Sequence, residues 1–495
     1  MAKNSLDALP ETFVSTSETS HLASKAMRAG KLRKLASRLY SKDLTSPPEA
    51  IVRRNLWAII AGYFPDGLIA DRTALEGAPA KDGSVFLISQ SAQTDIALPG
   101  FTLRPRQGPP AQANDLPFMG VLHLTSAART LLDNFAPSRS RGLVSRTLTK
   151  KELETHLETL LRRSGEDELN KLRDAARKLA PAIGRESEFA ALSKLIGALL
   201  NTKPDTLQTP AARARRKGMG FDPDRIALFE MLRTELHQTP PQTRQVRKDD
   251  GTSLPFFEAY FSNFIEGTEF PVEEAAAIIF ENKIPNNRPQ DAHDILGTYR
   301  IVADKQALAQ TPQTFGAFET LLKQRHATIM GARPDKTPGQ YKSDPNRAGS
   351  TMFVAPDLVR GTLERGYDVY RSLEVPFQRA VFMMFLVSEV HPFADGNGRL
   401  ARIMMNAELV AAGEQRIIIP TIFRANYLSA LKAISGHSNA TALVRTLDFA
   451  QRFTQSVDWT SYDKAESDLK SVDAFMDSME ADDKGIRLRL LSERT

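Results

Sequence analysis

From about Phe256 onward, apolar residues recur every three or four positions in one segment after another. "FFEAYFSNFIEG", "VEEAAAIIFENK", "AHDILGTYRIVADKQAL", "TFGAFETLLKQRHATIMG", "PDLVRGTLERGYDVYRSL" and "FQRAVFMMFLVSEV" all carry this spacing, which predicts helices. One stretch, "PGQYKSDPNRAGSTMFVAP", breaks the rhythm and reads as a short hairpin or flap. Upstream the pattern differs. "FVSTSETSHLASKAMRAGKLRKLASRLYSKDL" predicts helix, turn, helix and a short strand, with Ser17 or Thr19 capping the first helix. "VFLISQSAQTDIALPGFTLRPRQGPP" alternates as strands do, and residues 137–217 return to charged helical spacing with heptad-like leucines. "TPAARARRKGMGFDPDR" is basic and rich in Gly and Pro, so a linker is expected around it.

At 495 residues the chain is too long for one core, and two to four domains are expected. The changes of pattern divide it into 1–48, 49–140, 141–217, a linker over 218–255, a helical domain over 256–455 and a helical extension over 456–495. Composition is ordinary for a globular protein, 41% hydrophobic and 25% charged. No apolar run reaches the roughly 18 residues that cross a bilayer. "MAKNSLDALPETF" lacks an apolar signal core, so neither a membrane span nor a secretion signal is expected. Zero cysteines exclude disulfides, thiolate metal sites and cysteine nucleophiles, and a cytoplasmic location is expected.

The net charge of +6 matters only where it is clustered. Between Lys25 and Lys42, "KAMRAGKLRKLASRLYSK" holds seven Lys or Arg and no acid. Such a face suits a phosphate backbone, with Lys31, Arg33 and Lys34 as candidate DNA contacts; the competing reading is a solvated surface.

The densest chemistry is "HPFADGNGRLAR", His391 to Arg402. It lies between two predicted helices, one burying Phe377, Val381, Met384 and Phe385, the other Leu400, Ile403, Met404 and Ala407. A helix N-terminus offers free N–H groups and positive dipole charge to an anion, and glycines let the backbone approach it closely. Arg399 and Arg402, three apart, present guanidinium forks suited to phosphate oxygens. Asp395 is a hard oxygen ligand for Mg²⁺, and His391 accepts a proton near neutral pH.

This loop matches, at every defined position, the signature H-P-F-x-[D/E]-G-N-G-R-x-x-R of the Fic family, which the chain resembles over roughly 255–455. The resemblance implies transfer of AMP from ATP to a hydroxyl of a target protein. It implies that His391 deprotonates that hydroxyl, that Phe393 anchors the loop and that Asp395 holds Mg²⁺. Gly396, Asn397, Gly398 and Arg399 would form the phosphate cradle, with Arg402 on the γ-phosphate. Gly339 to Pro356 resembles the flap that pins a target strand, with Lys342 where an arginine is more usual. "IPTIFRANYLSAL" resembles the segment lining the adenine pocket, which makes Tyr427 a candidate there or else a core residue.

"YFSNFIEGTEF" places Ser262 and Glu266 four apart on one helix face, with Gly267 at its end. It resembles the Fic inhibitory motif [S/T]-x-x-x-E-[G/N], in the class that carries it on an N-terminal helix. The resemblance implies that Glu266 pairs with Arg402 and misaligns ATP.

The N-terminal 10–140 resembles AbiEi-type antitoxins and regulators: a winged helix-turn-helix, with Leu39 where glycine is usual, followed by "HLTSAARTLLDN". Together the resemblances imply a mainly α chain. A helical Fic domain with a short β-hairpin flap follows a winged helix-turn-helix and α+β region and a helical connector. His326 is expected to serve packing. The other histidines lack ligand spacing, and neither HExxH nor a Walker A string occurs, so a zinc site and a P-loop are not expected. Three other functions stay open: a DNA-binding regulator with a nucleotide-sensing Fic domain, removal of AMP from a target through Glu266, and transfer of another phosphate-containing group. The oligomeric state is open.

Overall fold

A computed structural model describes residues 6–91, 94–138, 143–238, 243–246, 253–349 and 351–491. Parts of every expected segment lie outside these: 1–5 of the first, 92–93 and 139–140 of the second, 141–142 of the connector, 239–242 and 247–252 of the linker, Ser350 of the flap and 492–495 of the extension. The chain divides into two compact units, Met1–Arg216 and Lys217–Thr495.

The first unit opens with β1 (Thr12–Val14), α1 (Ser20–Arg28), β2 (Arg33–Ala36) and β3 (Leu39–Ser41), the strands forming an antiparallel sheet in the order β1-β3-β2. This departs from the expected helix-turn-helix, because "KLRKLASRLYS" forms two strands. Arg38 takes a left-handed conformation (φ 61°) that no helix passes through, and the resulting hairpin buries Leu39 and Tyr40. Of the candidate DNA contacts, Lys31 and Lys34 are exposed. The Arg33 guanidinium instead donates to the Leu44 and Ser46 carbonyls at 3.4 and 3.0 Å.

Next come α2 (Pro48–Arg54), α3 (Leu56–Tyr63), β4 (Leu68–Ile69), α4 (Asp71–Glu76), β5 (Ser84–Ile88), β6 (Ile96–Leu98) and β7 (Phe101–Arg106). β8 (Leu116–Phe118), β9 (Leu122–Leu124) and α5 (Ala127–Phe135) complete an α+β region. Its six-stranded mixed sheet has the order β6-β7-β5-β4-β9-β8. β7 alternates buried and half-buried positions along its length, whereas the more central β5 is buried throughout. The expected connector is α6 (Lys150–Ile183), α7 (Glu186–Leu199) and α8 (Pro210–Arg216). Its leucines 153, 157, 161 and 169 pack with Leu131 and Leu132 of α5, so these helices share a core with the first unit.

The second unit starts at Lys217, where the expected connector meets the expected linker. There α9 (Pro223–Gln238) buries Leu228, Phe229, Leu232 and Leu236 in the unit's core. Phe229 meets Phe382 and Phe385 edge-on at 5.9 and 6.0 Å, so 218–255 is not a free linker. Then follow α10 (Ser253–Ile265), α11 (Val272–Glu281), α12 (Pro289–Ala303), α13 (Lys305–Leu308) and α14 (Phe315–Ile329). The hairpin of β10 (Arg347–Ala348) and β11 (Thr351–Met352) falls inside the expected flap. After it come α15 (Val359–Tyr370), α16 (Pro376–Val390), α17 (Asn397–Ala411), α18 (Arg424–His437) and α19 (Ala440–Ser456). The extension holds α20 (Tyr462–Ser471) and α21 (Ser478–Asp483).

α16 and α17 form the central pair. α16 is buried on every side, not on the single face its spacing predicts, because α9, α15 and α17 all pack against it. The extension is not peripheral either: Trp459, Tyr462 and Phe475 pack on Phe257, and Phe475 stacks on Phe261 at 5.3 Å. These contacts fix α10, which carries Ser262 and leads directly into Glu266. Among the described residues, no helix is long and apolar enough to cross a membrane.

Candidate active site

The loop between α16 and α17 is held by its own side chains. Asn397 accepts from the Phe393 N–H and donates to the Phe393 carbonyl, both at 2.9 Å, closing the bend on itself. Gly396 sits at the α17 N-cap with φ 74°, a backbone conformation that glycine adopts without cost. Phe393 is fully buried against the ring of His326 at 3.8 Å, with the planes within 6°. His326 accepts from the Gly339 N–H at Nδ1 (2.9 Å), so its proton is on Nε2, which donates to the Asp395 carbonyl at 3.0 Å. Burial pushes His326 down to about 4, in keeping with this neutral tautomer. It serves the loop as an anchor.

His391 caps the end of α16 with φ 52°, a left-handed conformation. A carbonyl only accepts, so the 3.3 Å contact between Nδ1 and the Ser388 carbonyl puts the proton on Nδ1 and leaves the Nε2 lone pair available. Burial lowers this imidazole to about 4. It is therefore a neutral proton acceptor at physiological pH, and nearby phosphate charge would raise it again.

The two arginines of the loop are held differently. Arg402 is buried and donates from Nε to Ser262 Oγ (3.0 Å) and from Nη2 to the Ser262 carbonyl (2.7 Å) and Glu266 Oε1 (2.8 Å). Its guanidinium also lies 5.9 Å from the Tyr427 ring centre. A β-carbon placed on Gly398 would fall 2.1 Å from Glu266 Oε1, so the carboxylate lies directly against the first turn of α17. Arg399 instead pairs with Asp294 (2.9 Å) and donates to Asn263 Oδ1 (3.3 Å).

One pocket is lined by Glu266, His391, Gly398, Arg402 and Tyr427 together. Asp395, Asn397 and Arg399 are not in its wall; Asn397 ties the bend, and Arg399 belongs to the buried Asp294 pair. Ser262 reaches the site through Arg402, and Gly267 (φ 87°) follows the end of α10. Asp395 is half-buried and accepts from the Gly396 N–H at 2.7 Å. Among the described residues no cluster of three metal-ligating side chains occurs. A lone carboxylate suits Mg²⁺, which takes most of its ligands from phosphates and water, and does not suit zinc.

Several residues at the site were not singled out from the sequence. Asn263 and Asp294 hold Arg399, Asn346 ties the flap to the loop, and Phe353 lies on His391. Asn263 neighbours Ser262, Asn346 and Phe353 lie in the expected flap, and Asp294 comes from α12.

Residues 318–409 match the family model described as Fic/DOC. The chain thus carries a Fic domain, and the matched stretch contains the flap, the His391 loop and most of α17. A protein adenylyltransferase Fic from Drosophila willistoni is 26% identical over 220 residues, 43% of this chain and 43% of that protein. A protein adenylyltransferase fic-1 from Caenorhabditis briggsae is 23% identical over 181 residues, 36% of each. The chain therefore spans less than half the length of these curated relatives. The solved Fic-1 (aa134–508) from C. elegans covers 66% of this chain and 90% of its own, at 18% identity and a TM-score of 0.34.

Proposed function

We propose that the Fic domain transfers AMP from ATP to a hydroxyl side chain of a target protein, and that Glu266 restrains it. One observation carries this reading: a neutral His391 and an arginine-lined helix N-terminus face one pocket, with the Glu266 carboxylate lying where a phosphate would bind. His391 Nε2 takes the proton of the attacking hydroxyl, whose oxygen bonds to the α-phosphorus as the bond to the α–β bridging oxygen breaks and pyrophosphate leaves. The N–H groups at the start of α17 cradle the phosphates, Arg402 holds the γ-phosphate, and Tyr427 lines the nucleoside side. Mg²⁺ held by Asp395 would neutralise charge on the phosphates.

While Arg402 donates to Glu266 and Ser262, it is withheld from the γ-phosphate, and a carboxylate against Gly398 repels the anion that should replace it. Misplacing the triphosphate removes in-line alignment and with it the rate. Incubation with labelled ATP tests the reading. Glu266→Gly should incorporate more AMP than the wild type, and adding His391→Ala should abolish incorporation. Equal labelling of wild type and Glu266→Gly would end the claim of restraint. Labelling that survives the loss of His391 would end the assigned chemistry.

A second activity rests on the first unit. Lys31 and Lys34 are exposed in an acid-free basic stretch, which supports electrostatic binding to duplex DNA without a helix-turn-helix. Salt-dependent binding should weaken in Lys31→Glu/Lys34→Glu, and an unchanged salt slope would remove this role.

A further inference from the structure

The flap is tied into the catalytic loop. Phe353 follows β11 directly, and its ring lies flat on the imidazole of His391, with centres 3.8 Å apart and planes within 5°. Four bonds hold that ring in place. The Phe353 N–H donates to the Asn346 carbonyl (3.2 Å), and Asn346 Nδ2 donates to the Phe393 carbonyl (3.0 Å), two residues beyond His391. The Lys342 N–H donates to the Pro392 carbonyl (3.0 Å), and its Nζ donates to Asn346 Oδ1 (2.6 Å). The chain of contacts runs from flap to bend and back through the stacked rings. Arg225 adds a fifth tie, donating to the Met352 carbonyl at 2.5 Å while pairing with the buried Glu389 beside the pocket.

His391 needs such support. Among the described residues the imidazole's one hydrogen-bond partner is the Ser388 carbonyl, at a long 3.3 Å, and its left-handed backbone strains a residue with a side chain. Turning the ring out of its plane about the Cβ–Cγ bond would swing the Nε2 lone pair away from the hydroxyl it must meet. Glu266 from the turn after α10, Lys342 from the flap base and Asp395 from the loop all act on its charge, but none is bonded to it. The contact that fixes the plane is the phenyl face.

Resting on the reading of His391 as proton acceptor, we propose that Phe353 is a positioning residue: its stacked ring sets the imidazole plane so that Nε2 meets the incoming hydroxyl, and it couples that plane to the flap. A target strand laid on the flap would then act on the base through one rigid contact.

The test uses the full chain carrying Glu266→Gly, alone and with Phe353→Leu or Phe353→Tyr. The readouts are labelled-AMP incorporation and the His391 Hε1 signal of ¹³C-histidine protein, assigned by its loss in His391→Ala. Phe353→Leu should lower kcat about tenfold or more with the KM for ATP within about threefold, as loss of alignment rather than of binding requires. It should also abolish the upfield ring-current displacement of the His391 signal, and Phe353→Tyr should restore both. An unchanged kcat in Phe353→Leu overturns the proposal, as does a parallel loss of kcat and ATP affinity with the His391 signal undisturbed. If the Glu266→Gly chain itself transfers nothing, the transfer reading fails and the positioning role fails with it, even where the displaced signal shows the stack.

Discussion

Arg399 and Arg402 leave one helix a single turn apart, and both are buried. Arg399 ends on Asp294, a carboxylate that is itself buried and shared with Arg333 at 2.8 Å. Arg402 ends on Glu266, whose side chain is 30% exposed in the turn that follows α10. The first pair has no route to water without exposing a charge in the core. The second can open by rotating one flexible side chain. The same residue type in the same helix thus serves as a fixed strut in one place and a releasable ligand in the other, and the carboxylate's surroundings decide which.

The largest effect expected from this contrast is on transfer. In a Glu266→Gly background, Arg402→Ala should lower AMP incorporation about a thousandfold, the scale on which arginines stabilise transferring phosphates. Initial rates with labelled ATP measure it. The contrast should invert for stability. Arg399→Ala leaves Asp294 buried with one partner fewer and should cost about 3 kcal/mol of unfolding free energy. Arg402→Ala leaves a carboxylate that can turn to solvent and should cost about 1 kcal/mol. Denaturant titration of both variants checks this, and equal losses would break the distinction.

A smaller effect comes from Gly398→Ala. Its methyl meets only the flexible end of Glu266, so stability should stay within about 1 kcal/mol of wild type. The same methyl narrows the phosphate cradle, so in the Glu266→Gly background ATP affinity by calorimetry should fall about tenfold.

The smallest effect is in pH dependence. His326 and His391 both lie near 4 when folded, against about 6.5 in an unfolded chain. The unfolded state therefore binds more protons between these values, so stability should fall as pH drops from about 6.5 towards 4 and be indifferent to these groups above that window. Thermal melts across the range, repeated on His326→Gln, should show a shallower slope for the variant.

The α16–loop–α17 core was legible because its signals are local: helical apolar spacing, a glycine bend and two arginines three apart. Ser262 and Glu266 were legible for the same reason, four apart on one helix. What escaped was decided by segments far apart in the chain. Asp294 stands over a hundred residues before Arg399, so nothing near Arg399 reveals that it is taken. Leu32, Leu35 and Leu39 share a helix-like spacing, yet a left-handed Arg38 between them makes a hairpin of three- and four-residue strands, too short to show a period of two. The helix over Pro223–Gln238 was hidden behind the basic Gly- and Pro-containing stretch that precedes it.

The most direct test of the account is a crystal structure of Glu266→Gly with ATP and Mg²⁺. The account predicts a triphosphate at the start of α17, Arg402 turned onto its γ-phosphate, Arg399 still on Asp294, and His391 Nε2 facing the α-phosphate side of the pocket. A nucleotide bound elsewhere, or an Arg402 that stays on Ser262 while the phosphates bind without it, would contradict it.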